Sequence, residues 1–134
     1  MRLPTKVFPV LLAFGLAGCA VPYQPMGARG GYSERQLGEG YYHVQFLGNI
    51  YTERQTVETY VQYRCAELTV AAGYAYFKMI DGRVQQIPTG GIGQNWLGSA
   101  QIRMFKGQTP TDDTSALDAK DVLRRLGPQV KGGS

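Results

Sequence analysis

The stretch TERQTVETYVQYRCAELTVAA, residues 52–72, decides how this sequence is read. Thr52 is followed three places on by Gln55, a capping-box spacing in which two side chains satisfy backbone N–H groups left orphaned at a helix start. At ~100° per residue, Val57, Val61, Leu68 and Ala72 fall on one stripe, with Cys65 beside them and Tyr60 and Arg64 assigned to the opposite flank. Gly73 is a natural stop. The spacing predicts one amphipathic helix over 52–72.

Working outward, YYHVQFLG at 41–48 alternates. Tyr42, Val44 and Phe46 take one face; Tyr41, His43, Gln45 and Leu47 take the other. This is the pattern of a half-buried strand, broken by Gly48-Asn49. Beyond the helix, 74–80 alternates too, with Ala75, Phe77 and Met79 opposite Tyr76, Lys78 and Ile80, and Asp81-Gly82 is a turn signal. Residues 82–99, with GGIGQNWLG, keep no period and read as a long Gly-rich loop. Ala100 to Lys106 is a third strand, with Ile102 and Met104 opposite Gln101, Arg103 and Phe105. After a polar linker at 109–114, Ser115 and Asp118 look like a capping pair. They open a second helix to Leu126 with Ala119, Val122, Leu123 and Leu126 as its apolar side, ended by Gly127-Pro128.

The expected fold class is therefore α+β in the order β-α-β-β-α: a single-layer sheet of three or four strands with two helices packed on one face. The two later strands would form an antiparallel hairpin. If the first two pair in parallel, their crossover should be right-handed. The other sheet face would meet water or a partner.

Composition bounds what this fold can do. A length of 134 residues allows one domain. Two Cys exclude a disulfide-dense scaffold and a four-Cys zinc module, and one His excludes a two-His metal site within one chain. No metal and no cofactor is expected.

The N-terminus carries a separate message. Arg2 and Lys6 precede an apolar run from Val7 to Ala17 that is too short to cross a bilayer, which takes ~20 residues as a helix. This is the layout of a secretory signal. It ends in Leu16-Ala17-Gly18-Cys19, which resembles the lipobox of bacterial lipoproteins. The resemblance implies that signal peptidase II recognises Leu16, Ala17 and Gly18. It also implies that Cys19 is alkylated with diacylglycerol and then N-acylated. The plainer alternatives are an ordinary secretory signal with a chance cysteine, or a short buried apolar helix. Two or three acyl chains, at ~0.8 kcal/mol per buried CH₂, hold a protein on a membrane where one chain binds only marginally. Residue 20 is Ala rather than Asp, and by the same resemblance that leans toward the outer membrane, facing the periplasm. Removing residues 1–18 takes away Arg2 and Lys6 and no acid, which halves the net charge of +4 and leaves little argument for an acidic partner.

Ala20 to Gly40, with five Gly and two Pro, reads as a tether, with one helical turn available at Ser33–Gln36. Among residues that carry chemistry, His43 and Cys65 are the catalytic suspects of a periplasmic hydrolase or thiol enzyme. Against that, His43 has no triad spacing around it, and Cys65 sits beside an apolar stripe like a buried structural thiol. Arg64 and Glu67 are spaced to pair along a helix. GGIG at 90–93 lacks the GK[ST] ending of a phosphate loop. Trp96 either packs on the core or contacts a partner. Tyr41, His43, Tyr76, Lys78, Arg103 and Phe105 would share the open sheet face. Interleaved aromatics and bases can suggest single-stranded nucleic acid, but an exported chain seldom meets it, so no nucleic acid is expected. The tether or an envelope protein is the expected occupant, with Trp96, Tyr76 and Arg103 as candidate partner contacts.

Several strings form a set: GGYSE at 30–34, FLGN at 46–49 with Thr52, YRCAELT at 63–69 followed by GYAYF, and DAKDVLRRLG at 118–127. The set resembles a family of small uncharacterised bacterial lipoproteins that share a GGYSE segment, a GN-x-x-T helix start and a Y-R-[AC]-A-E-L-T helix. The resemblance covers most of the chain after Cys19 and brings no established activity or ligand. It implies an envelope location and assigns the GGYSE segment to the folded unit. The expected layout is then a removed signal at 1–18, a lipidated cysteine and tether at 19–29, a domain at 30–128 and a frayed tail at 129–134. The reading as a whole is a lipid-anchored, non-enzymatic envelope protein that binds or scaffolds. The alternatives are the hydrolase or thiol enzyme above and a secreted soluble module.

Overall fold

The computed structural model describes residues 19–89, 91, 93–107 and 113–132; the signal segment with Leu16, Ala17 and Gly18 lies outside the described residues. The elements are β1 (Gly31–Gly38), β2 (Tyr41–Leu47), α1 (Arg54–Ala71), β3 (Tyr76–Pro88), β4 (Gln94–Phe105), β5 (Leu117–Asp118) and α2 (Ala119–Gly132). They make an α+β fold with one five-stranded sheet in the order β1-β2-β4-β3-β5, antiparallel at every pairing.

The sheet thus has five strands rather than three or four. The strand before α1 pairs with β4, not with the strand after α1, so there is no parallel crossover. Three further corrections follow from physical causes that apolar periodicity does not register. GYSERQLG, expected to be tether with a helical turn, is the edge strand β1. Its inward positions Tyr32 and Glu34 are held by polar and aromatic contacts to α1 and not by aliphatic burial. Of residues 82–99, expected to be a loop, 82–88 extend β3 and 94–99 extend β4 into a long hairpin, while Gly90 and Ile92 lie outside the described residues. Asp81-Gly82 is not its turn: the register shifts between Met79 and Asp81, a bulge that leaves Ile80 exposed.

Helix α1 covers the sheet and is itself covered by α2, so it is buried on more than one side. Val57, Tyr60, Val61, Cys65, Ala66 and Thr69 are all buried. Tyr60, expected on the opposite flank, lies edge-on to Phe46 with ring centroids 4.9 Å apart, while Ala72 is exposed at the C-cap. The core face of the sheet is built by Val44 and Phe46 from β2, Phe77 from β3, and Ala100, Ile102 and Met104 from β4, as the alternation predicted.

Helix α2 begins one residue after Asp118, whose carboxylate accepts from the Asp121 backbone N–H at 3.2 Å. It does not stop at Gly127-Pro128 but continues to Gly132, because burial of Val130 holds the last turn on the domain. Pro128 only forgoes one backbone bond there. Gly127 eases the helix through this point, because a Cβ on the residue before a proline crowds the ring in the helical conformation.

Candidate functional site

The expected Thr52 cap is not made. Helix α1 starts with Glu53 as its N-cap, without a side-chain capping bond. The Thr52 hydroxyl instead donates to Asn49 Oδ1 at 2.9 Å and accepts from the backbone N–H of Asn49 at 3.1 Å and of Val21 at 3.0 Å. Asn49 Nδ2 in turn donates to the Cys19 carbonyl at 2.8 Å. The β2–α1 loop is thus a socket for the first described residues. Val21 is 2 % exposed, so this segment is a strap packed on the domain and not the loose tether expected at 19–29. Cys19 itself is exposed.

The strap continues through Tyr23, whose ring lies 4.8 Å from Tyr32, 5.4 Å from Tyr60 and 5.2 Å from Tyr63. Its phenol donates to Glu67. Burial, then the Glu67 bond and charge, hold that phenol protonated far above its ordinary range. Arg64 completes the cluster. It makes a two-point contact with Glu34, Nη2 to Oε1 at 2.7 Å and Nε to Oε2 at 3.2 Å, and its guanidinium carbon lies 4.1 Å from the centroid of the Tyr32 ring. Glu67, the partner expected from sequence, is second at 3.5 Å. Burial opposes the charge on Arg64, but the Glu34 contact outweighs it and the guanidinium stays firmly protonated. Chemically this is a clamp between strap, β1 and α1.

After Tyr23 the chain turns back on itself. The Tyr32 N–H donates to the Gln24 carbonyl and the Met26 N–H to the Tyr32 carbonyl, each at 2.8 Å. Gly31 sits at φ 133°, where an added Cβ would stand 2.5 Å from the carbonyl oxygens of Gln24 and Pro25. Only glycine fits so tight a return.

The open face of the sheet gathers most of the residues expected there. Tyr41, Arg103 and Lys78 stand in register across β2, β4 and β3, with Phe105 opposite Tyr76 beside them. Tyr41 donates to Gln101 at 2.6 Å, and the Arg103 guanidinium carbon lies 4.6 Å from the centroid of the Tyr41 ring. Lys78 pairs with Asp113 at 3.1 Å; bonds from Ser115 and then Lys78 hold the Asp113 carboxyl below its usual range. Tyr76 and Arg103 thus share this face. Trp96 does not: it lies on the core side of β4, half-buried against the cluster.

His43 faces out between Arg35 and Gln101, over a shallow depression lined by Ser33, Glu34, Arg35 and Gln45, and the Glu34 carboxylate there is engaged by Arg64. Cys65 is fully buried in α1, and burial pushes its thiol far above the ordinary range. We expect a maleimide to leave Cys65 unmodified in the native domain and to modify it once urea unfolds the chain. Native-state labelling as fast as in the unfolded chain would contradict this burial.

Among the described residues no group of three or more His, Cys, Asp or Glu is placed to hold a metal ion. Among them, too, no helix is long and apolar enough to cross a membrane. Sequence reasoning missed Asn49, Thr52 as a socket, Tyr23 and Glu34. The GN-x-x-T spacing was the available signal, but it read as a helix start. No protein-family model matches the chain, and no curated protein or solved structure matches it.

Proposed function

We propose that this chain is a lipid-anchored protein of the bacterial cell envelope, held through Cys19 on the outer membrane and facing the periplasm. It works there without catalysis, as a binding or scaffolding module whose contact surface is the open sheet face around Tyr76 and Arg103, directed at another envelope protein. The observation that carries the reading is the order of the N-terminus: Arg2 and Lys6, a short apolar run, then Leu16-Ala17-Gly18-Cys19. Two features support it. Cys19 is exposed, as an attachment point requires, and the open face stacks Arg103 on Tyr41, two residue types enriched in protein contacts.

Radiolabelled palmitate fed to cells tests the anchor. Label should enter the protein and disappear with Cys19→Ser, and the mature N-terminus should begin at the modified Cys19. A soluble, unlabelled product would sink the anchor. A photo-crosslinker at Tyr76 should then capture one envelope protein in intact cells, with capture lost on Arg103→Glu. Capture of the same proteins from a Trp96 or Gln55 position would remove the open face from the proposal.

A further inference from the structure

Resting on the reading of Cys19 as a lipid-bearing residue, we propose that the β2–α1 loop is a membrane seat. In it Ile50 and Tyr51 enter the bilayer interface, so that the domain stands on the lipid in one fixed orientation. The reach from anchor to domain is the decisive quantity. Asn49 binds the Cys19 carbonyl and Thr52 binds the Val21 N–H, so both flanks of Ile50-Tyr51 are tied to the anchor segment. With Val21 buried, nothing between Cys19 and the domain acts as a spacer. Acyl chains on Cys19 would therefore bring this loop to the lipid surface.

What the loop offers there is apolar. Ile50 is 46 % and Tyr51 55 % exposed, two adjacent side chains that no described contact covers well. Single exposed apolar residues are ordinary. An aliphatic and a tyrosine side by side, at the anchor, match the interface, where an apolar body sinks and a phenol stays wet. The tip of the β3–β4 hairpin reaches the same end, since a Cβ at Gly93 would lie 3.1 Å from Ile50 Cγ2. Glu53 stands beside the loop, and Arg54 is paired with Glu58 at 3.4 Å. The seat is thus held by insertion and not by attraction to anionic headgroups, and ionic strength should leave it unchanged. The β1–β2 turn at Glu39 lies at the other end of β2, about 20 Å away at ~3.3 Å per residue.

The test uses the mature lipidated protein in vesicles of phosphatidylethanolamine and phosphatidylglycerol. An environment-sensitive fluorophore is placed on Ile50→Cys or on Glu39→Cys; Cys65 is buried and stays unlabelled. Emission from position 50 should shift to the blue and be quenched by a nitroxide-bearing lipid, at low and high salt alike, while position 39 reports water. With the fluorophore moved to Gln55→Cys, the pair Ile50→Ser and Tyr51→Ser should abolish its lipid quenching. Both changed residues are surface-exposed, so the fold is kept. If the protein carries palmitate but position 50 is as wet as position 39, the seat is wrong and the anchor stands. If no palmitate is present, anchor and seat fall together. If position 50 is shielded in cells but wet in vesicles, a protein covers the loop and the seat is overturned.

Discussion

Phe46→Ala is expected to remove about 3–5 kcal/mol of folding stability, a large share of the ~5–15 kcal/mol that holds a domain of this size. Phe46 is fully buried on β2 and meets the edge of Tyr60 on α1. Tyr60 meets Tyr23 in turn, with centroids 5.4 Å apart. Truncation removes the transfer energy of the ring and leaves a cavity between a paired strand and a helix, neither of which can close in. The change has a second readout. Tyr60 would lose its backing and the strap would loosen at Tyr23, so proteolysis near residues 24–29 should speed up more than the loss of global stability accounts for. Urea unfolding measures the first effect and limited proteolysis the second. A loss under ~1 kcal/mol would mean that the site collapses as readily as a surface position does.

Gly98→Ala should cost about 1–3 kcal/mol although it adds a single carbon. A Cβ at Gly98 would stand 2.6 Å from Val57 Cγ1 and 2.8 Å from Val61 Cγ2. Both neighbours are β-branched residues in a helix, where χ1 has essentially one well, so neither can swing aside. The helix must lift off β4 instead. Val57→Ala, itself destabilising, should recover part of the loss when combined with Gly98→Ala. A double-mutant cycle in urea reads that coupling. Additive losses would show that the helix is not seated on Gly98.

Such glycines explain where the sequence was legible. Helix α1 and strand β2 were, because apolar residues recur at 3.6 and at 2. The β3–β4 extension was not. Gly98 marks a close helix approach and Gly82 follows a bulge, yet both look like loop signals when no neighbour is visible. Strand β1 was hidden because what holds it inward is an Arg64–Glu34 contact 30 positions apart, which no local period records. The same blindness hid the socket. Thr52 follows the rule for a helix cap, and only the arrival of Val21, 31 positions away, diverts its hydroxyl. Open-face membership of Tyr76 and Arg103 was legible from alternation alone, whereas which strands are neighbours was not.

The strand order β1-β2-β4-β3-β5 also bears on how the chain reaches this state. It consists of two hairpins, each closed locally, joined along one seam between β2 and β4, with the two-residue β5 added on the β3 edge. Tyr41 and Gln101, bonded across that seam, are 60 positions apart. Closing so long a loop carries the entropy that makes non-local pairing slow. Variants on the β2–β4 seam should therefore slow refolding, and variants at the β3–β4 tip should leave its rate alone. During synthesis the first hairpin emerges well before β4, and for that interval β2 is an unpaired edge displaying Val44 and Phe46. Until β4 arrives, that waiting edge is where the half-made protein is most exposed to mispairing with another chain.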